Sequence, residues 1–255
     1  MEAMPRTKSA ARRTWAWSFA LVLSACTVKG DVVDPTEDTA EPPEVTAAPS
    51  ISPFSPATKR LALEVDYAAG AEPYTGDVWR IFGESAAALF DGTKEIAYPT
   101  ALDEMERLDD VPAGTFATGD LVAIAARHRG MTSGAGTAAL YVVFVDGIYV
   151  DPDGVPQPRV SGVTIGRTGT IAMFKHAVPP EAEQAALVHE LGHAVGLVDL
   201  DVPATSAHVD RGHPRHCTNE RCVMFWANEI AARGDRVLFG PECLADARAL
   251  AQTLD

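Results

Sequence analysis

His189-Glu190-Leu191-Gly192-His193-Ala194-Val195-Gly196-Leu197-Val198-Asp199 is the stretch on which the reading of this chain turns. Side chains four residues apart lie on one face of an α-helix, so His189 and His193 can aim their imidazoles at one divalent ion such as zinc. Glu190 stands beside them, placed as a general base for a metal-activated water. Upstream, Pro179 and Pro180 open a run with Glu181 and Glu183 in its first turn, followed by strong helix formers. Gly196 ends the helix, because a residue without a side chain can enter the left-handed region and turn the backbone sharply toward a further ligand.

In its spacing, HExxHxxGxx closed by Asp199, the stretch resembles the signature of the metzincin clan of zinc peptidases. Downstream, His216-Cys217-Thr218-Asn219-Glu220-Arg221-Cys222-Val223-Met224 is similar to the archaemetzincin pattern H-C-x4-C-x-M. The resemblance implies an α+β fold, a metzincin-like zincin domain with a mixed twisted sheet, a backing helix, an active-site helix and a C-terminal helix. It implies a zinc metallopeptidase that hydrolyses peptide bonds, with one catalytic zinc, Glu190 as general base and a peptide or protein as substrate. Met224 would be the Met-turn residue, its thioether packed under the ligand histidines without binding metal.

Two departures from that pattern bear on the site. The insertion Leu200 to Arg215 separates Asp199 from His216, so the third ligand stays open: Asp199 has the clan's spacing, His216 has the family's neighbours, and His208 and His213 are weaker candidates. In the resembled family the cysteines help bind a second, structural zinc. Here Cys243-Leu244-Ala245-Asp246 carries a carboxylate at the position of the fourth thiolate. An exported chain meets oxidising conditions, so a disulfide is expected, Cys217 with Cys222 as the favoured pair and Cys243 left over, rather than a second ion. The connectivity itself is not fixed by sequence.

The first 25 residues read as an export signal. Arg6, Lys8, Arg12 and Arg13 precede an apolar run from Trp15 to Leu23 that is too short for a permanent bilayer anchor. Leu23-Ser24-Ala25-Cys26 resembles a bacterial lipobox, which implies acylation of Cys26, a lipid-anchored place in the cell envelope and, by the residue after the cysteine, the outer membrane. Removing residues 1–25 takes away four bases and one acid and moves the formal charge from −14 to −17. So acidic a surface argues against nucleic acid and against electrostatic attachment to anionic lipid. Residues 26–59, rich in Pro, Asp and Glu, read as an extended tether, and 60–255 as the folded domain.

Within that domain, strands are expected at 60–67, 94–98, 120–129, 138–145, 160–165 and 170–174, the fourth buried on both faces. Helices are expected at 76–90 and 241–254, besides the one bearing the histidines, and a charged, partly helical turn at 100–109. Asp151-Pro152-Asp153-Gly154 is read as a solvated turn. The resemblance implies an edge strand ahead of the histidine helix to which a peptide would be added; Ile171 to Phe174 is the candidate for it, with a strand buried within the sheet as the equal alternative. The competing functional reading is a non-catalytic zinc-binding surface lipoprotein on the same scaffold.

Overall fold

The structure, a computed structural model, describes residues 52–175, 179–228 and 236–254, together with the backbone of 23–24. The acylation expected at Cys26 lies outside the described residues. Among these, no helix is long and apolar enough to cross a membrane.

The architecture is α+β. In chain order it runs β1 (Arg60–Ala68), a 3-10 turn (Gly76–Trp79) leading into α1 (Arg80–Leu89), β2 (Glu95–Ala97), β3 (Glu106–Leu108), β4 (Gly114–Phe116) and α2 (Thr118–His128). There follow β5 (Thr137–Val145), β6 (Gly147–Val150), β7 (Pro156–Gln157), β8 (Gly162–Ile165), β9 (Thr170–Phe174), α3 (Pro180–Ala194) and α4 (Pro241–Thr253). The main sheet is mixed, in the order β2-β1-β5-β9-β8, with β3 also paired to β1. Its strands are parallel except β8, which runs antiparallel to β9. A smaller sheet joins β4, β6 and β7.

The central strand β5 is buried along nearly its whole length, as its unbroken apolar run requires of a strand covered on both faces. Helix α3 packs against α1, β8 and β9, and α1 also touches α4. The start of α3 is pinned by Glu183, a buried carboxylate that accepts the Tyr74 amide at 2.9 Å and pairs with Lys175, which lies over the Tyr74 ring. The helix that bears the histidines is therefore tied at one end to the segment after β1 and to the end of β9.

Three local expectations need correction. Residues 120–129 are not a strand but most of α2, where Leu121 and Ile124 are buried at helical spacing and the Asp120 carboxylate accepts the Ala117 amide at 2.9 Å. Ile171–Phe174 is not an edge: β9 is hydrogen-bonded to β5 on one side and β8 on the other, and the edge of that half of the sheet is β8. Residues 52–59, taken as the end of the tether, lie against the domain. Phe54 is buried on the Phe90 ring, and Lys94 donates to the Ser55 and Thr58 carbonyls.

Candidate metal centres

The last two turns of α3 place His189, Glu190 and His193 in the buried interior. The helix then closes in a Schellman arrangement, with Gly196 donating to the His193 carbonyl and Leu197 to that of Gly192. Gly196 has φ +86°, and a side chain there would strike Asp201, so glycine is required both for conformation and for space. Gly192 is required for a different reason. A methyl group at this position would run into the Met224 sulfur and approach Phe239 to 3.1 Å. Met224 is thus packed directly beneath the histidine helix, where it is wholly buried.

His189, His193 and His216 come together, one ring nitrogen of each lying within 4.8 Å of the other two. The His189 and His193 Nε2 atoms are 3.0 Å apart. A carbonyl oxygen can only accept, so the contacts of His189 Nδ1 with Val223 O at 2.6 Å and of His216 Nδ1 with Pro214 O at 3.1 Å put the protons on Nδ1. Both rings then present the Nε2 lone pair, the tautomer a metal ligand needs. Burial lowers all three imidazoles. His189 falls to about 3, reinforced by His216; His193 lies well below the ordinary range, and His216 is lowered against the pull of its backbone partners. Neutral, buried and converging, they satisfy what a divalent cation asks of nitrogen ligands. The His216 Nε2 and Glu190 Oε1 atoms are buried without a hydrogen-bond partner among the described residues, a cost that a bound ion and its water would relieve.

Glu190 lies between α3 and the edge strand. The Thr164 hydroxyl of β8 is 2.9 Å from both the Glu190 backbone oxygen and its Oε2. Gly162, two residues earlier, leaves room for it: a methyl group there would come within 2.8 Å of the Glu190 Cγ. Burial raises the carboxyl to about 8, with the Thr164 hydrogen bonds opposing the shift.

The four candidates for a third ligand are sorted by this geometry. Asp199, first by spacing, is exposed, with φ 63° in the turn that follows Gly196, and its amide donates to Val202 O at 3.3 Å. The turn folds back on itself because the Asp201 and Val202 amides both bond to Gly196 O, which leaves the Asp199 carboxylate outside the histidine cluster. His213 stacks on Trp226 and bonds to Asp210. His216 joins His189 and His193, and His208 belongs to a different cluster.

That second cluster gathers His208, Cys217 and Cys243 as a group that could hold a metal ion, with Cys222 Sγ 3.5 Å from Cys243 Sγ. All three cysteines are free, so the expected Cys217–Cys222 disulfide is absent. Hydrogen bonds from Cys222 and then Cys243 draw the Cys217 thiol down, and donating to it pushes the other two up. Sequence reasoning did not connect His208 with Asp246, nor find Thr164, Gly162 or the Val223 carbonyl. A glycine inside the β8 strand was the one available signal, marking a close approach.

No protein-family model matches the chain, and no curated protein matches it significantly.

Proposed function

We propose that this chain is a zinc-dependent peptidase, with His189, His193 and His216 as the metal ligands and Glu190 as the general base. The observation that carries the reading is the convergence of three neutral, buried imidazoles, two of them held in the ligand tautomer by backbone carbonyls, with a buried carboxyl on the residue that follows His189 in the same helix. When bound, the metal supplies a Lewis acid that lowers the pKa of water toward about 7 and polarises a carbonyl. Glu190 takes the proton released by the attacking water and returns it to the leaving amine. Its hydrogen bond to Thr164 holds the carboxyl in one orientation for both transfers. Met224 supports the ligand helix from below through its contact with Gly192.

The metzincin-like fold belongs to the same proposal. Its mixed sheet ends in an antiparallel edge strand on the side of Glu190, and an extended peptide would add to β8 as a further strand. The substrate class is accordingly an extended peptide or protein segment. We place the domain at the envelope surface through acylation of Cys26, which the mass of the mature N-terminal peptide would check.

The test is Glu190→Gln in the zinc-loaded chain, assayed against a peptide library. Hydrolysis should fall by ~10²–10⁴-fold while zinc content is unchanged. Undiminished cleavage by this variant would overturn the assignment, and zinc binding by the native chain with no cleavage of any peptide would favour the non-catalytic reading.

A further inference from the structure

The insertion 200–215 both precedes His216 and delivers His208 to the buried cysteines. His208 Nε2 lies 2.6 Å from the Asp246 Oδ2. A carboxylate accepts, so the proton sits on Nε2 and the Nδ1 lone pair faces inward, 3.3 Å from Cys217 Sγ. Asp246 is itself fixed, its Oδ1 accepting both the amide and the hydroxyl of Thr205 at 2.7 and 2.6 Å. The sulfurs are likewise prepared for negative charge: Asn219 N approaches Cys217 Sγ at 3.4 Å, and Gly240 N approaches Cys222 Sγ at 3.1 Å. Cys217, Cys222, Cys243 and Asp246 are 0% exposed and His208 4%.

A disulfide does not account for this arrangement. Three thiols cannot pair without leaving one over, and no disulfide has a use for a histidine oriented by a buried carboxylate. Three sulfurs and one imidazole nitrogen are the donor set of a closed tetrahedral zinc site, and an outer carboxylate on the ligand histidine is its usual support.

We propose that Cys217, Cys222, Cys243 and His208 form a four-donor site for zinc or another thiophilic divalent cation, with Asp246 as the residue that positions His208. Asp246 stands where the resembled pattern has its fourth thiol, and the insertion supplies the missing donor from elsewhere in the chain. Binding exchanges the remaining thiol protons for the cation, which leave to solvent. The site stands on its own geometry; only its consequence for the imidazole centre rests on the peptidase reading. That consequence is direct, because Cys217 adjoins His216, and Cys222 adjoins Val223, whose carbonyl orients His189.

The experiment is cobalt(II) and zinc titration of the full chain under reducing conditions, read by metal content and by the sulfur-to-cobalt charge-transfer absorption in the near ultraviolet. An ion is expected at each centre, with the thiolate band present. His193→Ala should lose one ion and keep the band, so failure at the imidazole centre is read separately. Asp246→Asn should weaken the thiol centre by ~10–100-fold, and His208→Ala at least as much. His208→Cys should refill the fourth position and strengthen the band, a result that a merely unfolded loop could not give. Absence of the band in the native chain, or cobalt held by His208→Ala as tightly as by the native chain with no gain in His208→Cys, overturns the proposal.

Discussion

The imidazole cluster and the thiol cluster are fed by one stretch of chain and are built in opposite ways. Two of the three imidazoles stand on a helix pinned at its start by Glu183, and only His216 arrives from a loop. The thiol cluster draws Cys217 and Cys222 from the irregular chain, Cys243 from the first turn of α4, and His208 from the insertion. Three donors beside a carboxyl leave a coordination position for chemistry, whereas four donors leave none. From 195 to 226 the chain has no helix or strand, and among the described residues its β-pairing in that interval is the isolated bridge between Val209 and Cys217. A connection this long inside a folded unit needs a cross-link or a function. On the readings proposed above it would have both, an ion at the thiol cluster fixing the loop that carries His216.

The largest effect expected is at the third ligand. His216→Ala should empty the imidazole centre, weakening its zinc by more than ~100-fold and removing activity, while the thiol centre keeps its ion. Asp199→Ala should leave both centres and the activity within about twofold of the native chain, a surface change by the ordinary measure. If Asp199→Ala released metal and His216→Ala did not, the division of the loop into two centres would be wrong. Metal content of the two variants decides it.

Next in size is Gly162→Ala. The added methyl would press on the Glu190 Cγ at 2.8 Å and on the Met173 sulfur at 3.0 Å. Displacing a reacting group by about 1 Å can cost ~10²-fold, so turnover should drop by that order with both ions retained. This variant separates the carboxyl's position from metal binding. An unchanged kcat would show that Glu190 moves freely in the cleft.

Much of the imidazole centre was legible because its signals are local. The i, i+4 histidines, the acids of the first turn and Gly196 each act within one helical turn, and all stand where periodicity puts them. The strands β1 and β5 were legible for a similar reason, β1 by the alternation of Leu61, Leu63, Val65 and Tyr67 and β5 by an apolar run that matches burial on both faces. Apart from the 120–129 segment, what failed depended on distant chain. Strand order is set by which segments pair, so β8 rather than β9 lies at the edge, although both read correctly as strands. The 120–129 segment was misread because its apolar residues were taken as a strand when Leu121 and Ile124 mark a helix face. His216 could not be chosen over Asp199 from spacing, since the choice turns on where the 200–215 insertion returns. Asp246 and His208 meet across 38 residues, a pairing that neither local sequence announces.

A smaller effect separates the two centres by pH. In the metal-free chain the Glu190 carboxyl, raised by burial to about 8 from 4.5, stays protonated when folded and ionises when unfolded. Folding therefore binds a proton, and this contribution to stability is full below the unfolded value and declines as pH rises through the folded one. Between about pH 6.5 and 8 the metal-free native chain should lose about 1–2 kcal/mol relative to Glu190→Gln. Thermal melts of both in chelator would measure it, and parallel curves would mean that water reaches Glu190 in the metal-free form.

The change expected to alter metal affinity least is also the one that touches both clusters. Gly192 lies on α3 over the Met224 sulfur, and the Met224 carbonyl accepts the Cys217 amide at 2.8 Å. A methyl group at 192 has no empty space to enter, so either Met224 swings aside or the turn that carries it moves. The cost of such overpacking is typically ~1–3 kcal/mol. Movement of the thioether alone would lower the melting temperature and leave the affinities for metal at both centres nearly unchanged, because the ligands would not follow. Movement of the backbone would carry Val223 O away from His189 and Cys217 N away from Met224 together, and both affinities would fall. The packed, fully buried surroundings of Met224 leave the flexible side chain as the cheaper response. Gly192→Ala is thus expected to melt earlier while retaining an ion at each centre. Joint loss of both ions would show instead that the two centres share one rigid support at the Met224 turn.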